Sequence, residues 1–181
     1  LLIMNKIILL LAVAIVVACQ APEKPDRTGL VGDSAMVVCA NPIASQVGVD
    51  IMKKGGNAVD AAIAVQFALC VVHPSAGNIG GGGFMVVRLA DGSTAALDFR
   101  ETAPAAASTD MYLDKDKNII PKLSTDGHLA SGVPGSVDGM MEAHKKYGTL
   151  TWSELVQPAV DLALTGCPVT EKIPKSVNEI H

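Results

Sequence analysis

Aromatic residues are scarce in this chain of 181: three Phe, two Tyr and one Trp, or 3%. Hydrophobic residues still make up 49%, so the core must be built from Ala, Val, Ile, Leu and Met. Such small side chains, with 17 Gly, favour closely packed layers over a bulky core. Basic charge is short as well. Fourteen Lys and Arg face 18 Asp and Glu, a net charge of −4, which removes the footprint of a nucleic-acid partner. The four cysteines, Cys19, Cys39, Cys70 and Cys167, form no CxxC pair and have no histidine at ligand spacing, which argues against a zinc site. No GKS or GKT follows the glycine run at 80–83, and that run precedes a strand instead of opening a helix, so phosphate-loop and dinucleotide readings fail. Ser136 lies in Pro134-Gly135-Ser136-Val137-Asp138, not in a GxSxG elbow. The histidines 73, 128, 144 and 181 are scattered, and no nucleophile–base pair stands out.

A long apolar span is missing too. The run over residues 7–18 would make about 18 Å of helix against the ~30 Å hydrocarbon layer. Behind Lys6 it reads as a signal-peptide core, with Met4 as the start. Val16-Val17-Ala18-Cys19 resembles a bacterial lipobox, in which Cys19 is acylated and becomes the mature N-terminus. An ordinary secretory signal with a chance cysteine is the alternative. Residues 1–19 are thus expected to be a leader with a lipobox, and 20–34, rich in Pro and charge, a flexible tether. Residues 35–181 form the domain. With Cys19 consumed, three cysteines remain and cannot all pair within the chain.

Within the domain, residues 36–40 (Met-Val-Val-Cys-Ala) read as a short buried strand. Apolar residues at 44, 47, 48, 51 and 52 follow helical spacing, with Lys53 and Lys54 in the last turn and Gly55-Gly56 as the stop. Asn57 caps a helix from Ala58 to about Val72 that is polar only at Asp60 and Gln66; such a helix lies between layers. His73-Pro74 ends it. After residue 101 the chain reads as irregular, with Met111-Tyr112-Leu113 as an anchor and 114–122 exposed. A helix then carries Val137, Met140, Met141 and His144 on one face. The capping box Thr151-Trp152-Ser153-Glu154 opens the last helix, with Leu155, Val156, Ala159, Leu162 and Ala163 inward and Gly166 closing it. Pro158 predicts a kink or a separate first turn.

The stretch that organises the chain is Asn78-Ile79-Gly80-Gly81-Gly82-Gly83-Phe84-Met85-Val86-Val87-Arg88, a turn at Asp91-Gly92, then Ala95-Ala96-Leu97-Asp98-Phe99-Arg100-Glu101. This is a hairpin pattern. It delivers Arg100 and Glu101 to the far end of the second strand. An arginine there can fork onto a carboxylate or phosphate with two parallel hydrogen bonds; a structural ion pair and a solvated strand end are the plainer readings. Asp98 alternates with Phe99, so one of them points inward, and a buried Asp98 would need Arg88 or Arg100 as partner.

Together GGNAVDAA (55–62), GNIGGGGF (77–84), DFRE (98–101), HLASGVPG (128–135) and Gln157-Pro158-Ala159 resemble the N-terminal part of the large subunit of γ-glutamyltranspeptidase, over roughly 35–168. The resemblance implies an α/β fold, the αββα sandwich of N-terminal-nucleophile hydrolases, incomplete in this chain. It implies a precursor that cleaves itself, exposing a threonine at the start of the small subunit. That threonine takes the γ-glutamyl group of glutathione-like substrates as an acyl-enzyme and passes it to water, an amino acid or a dipeptide. No cofactor or metal is called for. Arg100 corresponds to the arginine that holds the α-carboxylate of the γ-glutamyl group. Glu101 is expected to shape the site or pair with Arg100, and the run at 80–83 to be backbone packing. The nucleophile lies beyond His181, and Thr125 and Thr149 do not match it, so this chain by itself is expected to be inactive and to need the small subunit as partner. A cephalosporin-type acylase and a poly-γ-glutamate-processing enzyme are the alternatives within the family. A non-catalytic envelope protein binding acidic amino acids through Arg100 is the alternative outside it.

Overall fold

A helix begins at Asn57 because three groups within four residues satisfy one another. The Asn57 Oδ1 accepts from the backbone N–H of Val59 (2.8 Å) and Asp60 (3.0 Å), and Asp60 returns a bond to the Asn57 N–H at 2.9 Å. This capping box satisfies donors that the helix leaves free. The computed structural model describes residue 29 and residues 31–169. The leader, Cys19, most of the tether and His181 lie outside the described residues. The chain divides into Leu1–Ser34 and Ala35–His181, and the architecture below is that of the second unit.

Among the described residues four helices and one hairpin follow in order: α1 (Pro42–Lys53), α2 (Ala58–Val72), β1 (Phe84–Arg88), β2 (Thr94–Asp98), α3 (Ser136–Tyr147) and α4 (Trp152–Thr165), with a short 3-10 turn at His128–Ala130. The helix α2 packs on α1, α4 and α3, as its near-continuous apolar surface requires. Its approach to α1 is close, since a Cβ on Gly48 would stand 2.7 Å from Val65 Cγ2. Asn41 caps α1, donating from Nδ2 to the Val72 carbonyl at 3.1 Å, which ties the start of α1 to the end of α2. Gly55 follows α1 at φ +98°, the left-handed stop that the glycine pair predicts.

Ile51, Ile63 and Leu155 are fully buried, each adding roughly 1.5–3 kcal/mol by burial. Val87 of β1 and Met140 of α3 join the same cluster, with Met85 and Leu97 against it. The hairpin therefore lies on the helical layer by one face. A second cluster of Ala44, Val65, Ala68 and Val72 sits under Val37, Cys39 and Leu162.

Several expectations need correction. Residues 36–40 are not a strand. Val37 and Cys39 face the second cluster while Val38 is exposed, so the side chains alternate as in a strand, but no neighbouring strand among the described residues supplies the ladder. Helix α4 is one element through Pro158, with no separate first turn. Leu155 and Ala159, four residues apart on one face, are both buried, and this packing holds the helix across the missing N–H. Ala163 is exposed, as is Val137 in α3; Gly139 and Ala143 are buried there instead. The other helix limits stand, including the glycine at φ +83° that closes α4.

Candidate functional site

The strands pair antiparallel with Phe84 opposite Asp98, Val86 opposite Ala96 and Arg88 opposite Thr94. Gly92 turns the chain at φ +86°, and Asp91 braces the turn by accepting from the N–H and hydroxyl of Ser93. That hydroxyl, with the N–H, holds the Asp91 carboxyl below its usual range. One more pair extends the ladder: Gly83 N–H donates to the Phe99 carbonyl (3.3 Å) and Phe99 N–H to the Gly83 carbonyl (3.0 Å). Beyond that pair Gly82 runs against the DFRE backbone. A Cβ on Gly82 would stand 2.7 Å from Arg100 Cα, Glu101 N and the Phe99 carbonyl oxygen, so only glycine fits. Gly80 has open space around it. Backbone packing thus accounts for Gly82, whereas Gly81 meets the side chains of Asn78 and Glu101, Gly83 meets the Phe99 ring, and Gly80 has no close neighbour.

The third stretch, 132–136, closes on the same place. Gly135 and Ser136 donate their N–H groups to the Gly81 carbonyl at 2.9 and 3.0 Å, which supplies an acceptor to an α3 N-terminus that has no side-chain cap. Thr102 and Val133 exchange backbone bonds of 3.2 and 2.9 Å. Phe99 turns inward against Gly139 and Gly83, leaving Asp98 exposed. The alternation is resolved in favour of the ring, and Asp98 needs no buried partner.

Arg100 emerges where these three stretches meet. It is exposed. Its N–H donates to Asp98 Oδ1 at 3.1 Å, and its Cζ lies 5.9 Å from the centre of the Phe84 ring. Among the described residues it belongs to no ion pair, so the expected Arg100–Glu101 pairing is absent. Glu101 lies instead against Gly81 and Gly132. A cavity of about 340 Å³ beside Arg100 is lined by Asp98, Thr102, Pro134, Asp138 and Glu142 among others. Among the described residues no acceptor takes the donors of this guanidinium, and a guanidinium with open donors can fork onto an anion.

Phe84 was not singled out in the sequence, although the hairpin register carries the signal by placing residue 84 across from 98. Two structural knots also went unseen. Asp60, 0% exposed, accepts from Thr149 N–H at 3.1 Å and from its hydroxyl, and Asn57 Nδ2 donates to the Tyr147 carbonyl at 2.6 Å. Thr149 is therefore occupied in holding α2 to the turn between α3 and α4. His144 is a packed residue, its Nε2 2.7 Å from the Leu150 carbonyl and its ring edge on Trp152. Cys39, Cys70 and Cys167 are free thiols, and burial pushes that of Cys70 up. Among the described residues no cluster of His, Cys, Asp or Glu is arranged to hold a metal, and no helix is long and apolar enough to cross a membrane.

The family model for γ-glutamyltranspeptidase matches residues 44–180. The chain belongs to the γ-glutamyltranspeptidase family. It is 54% identical over 157 residues to a glutathione hydrolase proenzyme of Pseudomonas sp. (strain A14), covering 87% of this chain and 27% of that protein. It is 54% identical over 138 residues to the glutathione hydrolase proenzyme of Escherichia coli (strain K12), covering 76% and 24%. The chain thus spans about a quarter of the length of these relatives. Among solved structures, the Helicobacter pylori γ-glutamyltranspeptidase matches with a TM-score of 0.78 at 49% identity, over 83% of this chain and 43% of that one. A cephalosporin acylase from Bacillus halodurans matches at 0.73 and 34% identity, over 86% and 29%. The fold class is that of this family, an α/β segment of the N-terminal-nucleophile hydrolase sandwich, represented among the described residues by one helical layer and one hairpin.

Proposed function

We propose that this chain is the N-terminal part of the large subunit of a self-processing γ-glutamyltransferase/glutathione hydrolase, with Arg100 as the clamp for the α-carboxylate of the γ-glutamyl group. The observation that carries this reading is an exposed guanidinium without an ion-pair partner among the described residues, at the end of β2, in a DFRE stretch packed on the glycine run. The relatives at 54% identity are glutathione hydrolase proenzymes, which supports both the γ-glutamyl substrate and cleavage of a precursor. The acylase lies further off, at 34%.

In this reading the small subunit, made from the same precursor, brings the nucleophilic threonine. Its hydroxyl attacks the γ-carbonyl carbon, and its free α-amine takes the proton and passes it to the departing amine. Backbone N–H groups hold the oxyanion. Water or an amino acid then opens the ester. Arg100 does none of this chemistry; it fixes where the γ-carbonyl stands. Residues 1–19 serve as an export leader with acylation at Cys19, and 20–34 as the tether that leaves the domain on the outer side of a bacterial membrane.

The test is to express the complete reading frame that contains this chain, run it on a denaturing gel, and assay amine release from a chromogenic γ-glutamyl anilide. Two subunits with release are expected. A single uncleaved chain without release would overturn the enzyme reading and leave Arg100 at most a binding residue.

A further inference from the structure

Among the described residues the Arg100 guanidinium has no carboxylate partner. Carboxylates are close along the chain and across the cavity, yet each is engaged elsewhere or stands apart. Asp98 accepts the backbone N–H of Arg100, Glu101 lies against Gly81 and Gly132, and Glu142 pairs with Lys145 at 2.8 Å. Asp138 lines the neighbouring cavity without an ion pair to Arg100. What meets the guanidinium is an aromatic ring, with Cζ 5.9 Å from the Phe84 centroid. Phe84 opposes Asp98 in the register, and side chains two apart on a strand share a face. Arg100, two residues past Asp98, therefore reaches back over the ring. Among the described residues Phe84 is 66% exposed, so the helical layer beneath the hairpin does not account for it. A ring attracts a cation through its quadrupole and takes up none of the five N–H donors. A carboxylate in the same place would hold the arginine just as firmly but occupy the fork that a substrate needs.

We propose that Phe84 is the positioning residue for Arg100: its ring fixes the guanidinium at the strand end and leaves the N–H fork open to a substrate α-carboxylate. Asp98 completes the arrangement by fixing the Arg100 backbone. This inference rests on the reading of Arg100 as the α-carboxylate clamp.

The test uses the complete protein, with self-cleavage into two subunits as the check on folding. It compares F84L, F84Y, R100A and the F84L/R100A double variant on a γ-glutamyl anilide. F84L is expected to raise KM about three- to tenfold with kcat within about twofold, the range of a cation–π contact, and F84Y to stay within about twofold on KM. In the R100A background, F84L should add no further rise. A KM unmoved by F84L, or raised by the same factor with and without Arg100, would overturn the proposal and leave Phe84 a structural residue. If F84L fails to self-cleave, pentafluorophenylalanine at position 84 keeps the shape and inverts the quadrupole, and an unchanged KM there overturns the proposal equally. A KM unmoved by R100A is a different failure, that of the clamp itself.

Discussion

Two residues carry most of what is specific about this chain, and both depend on unequal use of hydrogen-bonding capacity. Among the described residues Arg100 belongs to no ion pair, and in the proposed clamp Lys would not replace it, because an ammonium lacks the planar fork. In the complete enzyme, R100K is expected to raise KM for a γ-glutamyl anilide about ten- to a hundredfold, the loss of one charge-assisted bond. Unchanged kinetics would end its role as clamp. Asp60 is the opposite case, fully buried with its oxygens taken by Asn57 and Thr149. Truncating it leaves part-buried donors on two separate segments without their shared acceptor. D60A should therefore cost roughly 2–4 kcal/mol, read from the urea midpoint of the complete protein. A cost below about 1 kcal/mol would show that water replaces the carboxylate.

At the scale of elements, the glycines decide how closely layers approach, and they are not equivalent. Alanine favours a helix interior over glycine by about 1 kcal/mol, so G139A in α3 would be stabilising on propensity alone. The Phe99 ring occupies the space a Cβ needs there, and overpacking costs typically 1–3 kcal/mol. A net loss of thermal stability is expected for G139A, with G80A, whose surroundings are open, as the near-neutral control. Equal melting temperatures would mean that Phe99 relocates freely. The start of α4 responds to pH. The Thr151 hydroxyl and N–H donate to Glu154 and hold its carboxyl below the ordinary value of 4.5. The folded value lies under the unfolded one, so this contribution is complete above about 4.5 and is lost as pH falls through the lowered value. The stability gap between wild type and E154Q should close as the pH is taken down through that window. A gap that persists in acid would trace to another contact.

For the molecule as a whole, the hairpin determines what the segment needs from elsewhere. Its inner face is packed on the helices, whereas on its outer face Phe84 is 66% and Val86 83% exposed. Both strands of a two-stranded sheet are also edges, which invite pairing with another chain. Residues 29–181 produced alone are expected to self-associate, and V86K to shift them toward monomer in analytical ultracentrifugation. If wild type and variant sediment alike, the face is not what drives association.

Local chemistry was legible from the residues in order. The Asn57 and Thr151 caps, the glycine stops after α1 and α4, and the turn at Asp91-Gly92 all satisfy backbone groups within a few positions, so their partners are printed beside them in the sequence. DFRE and the glycine run likewise marked two stretches that pack on each other. Sidedness and long-range pairing were decided only in three dimensions. Whether Asp98 or Phe99 turned inward depended on space left by Gly139, some forty residues away. Whether residues 36–40 became a strand depended on a neighbour to supply hydrogen bonds. Glu101 was drawn to Gly81 and Gly132 rather than to Arg100, and Phe84 came to lie beneath Arg100, because the hairpin register and the glycine contacts brought distant backbones together. Periodicity along a chain cannot report which far segment will occupy the space beside it.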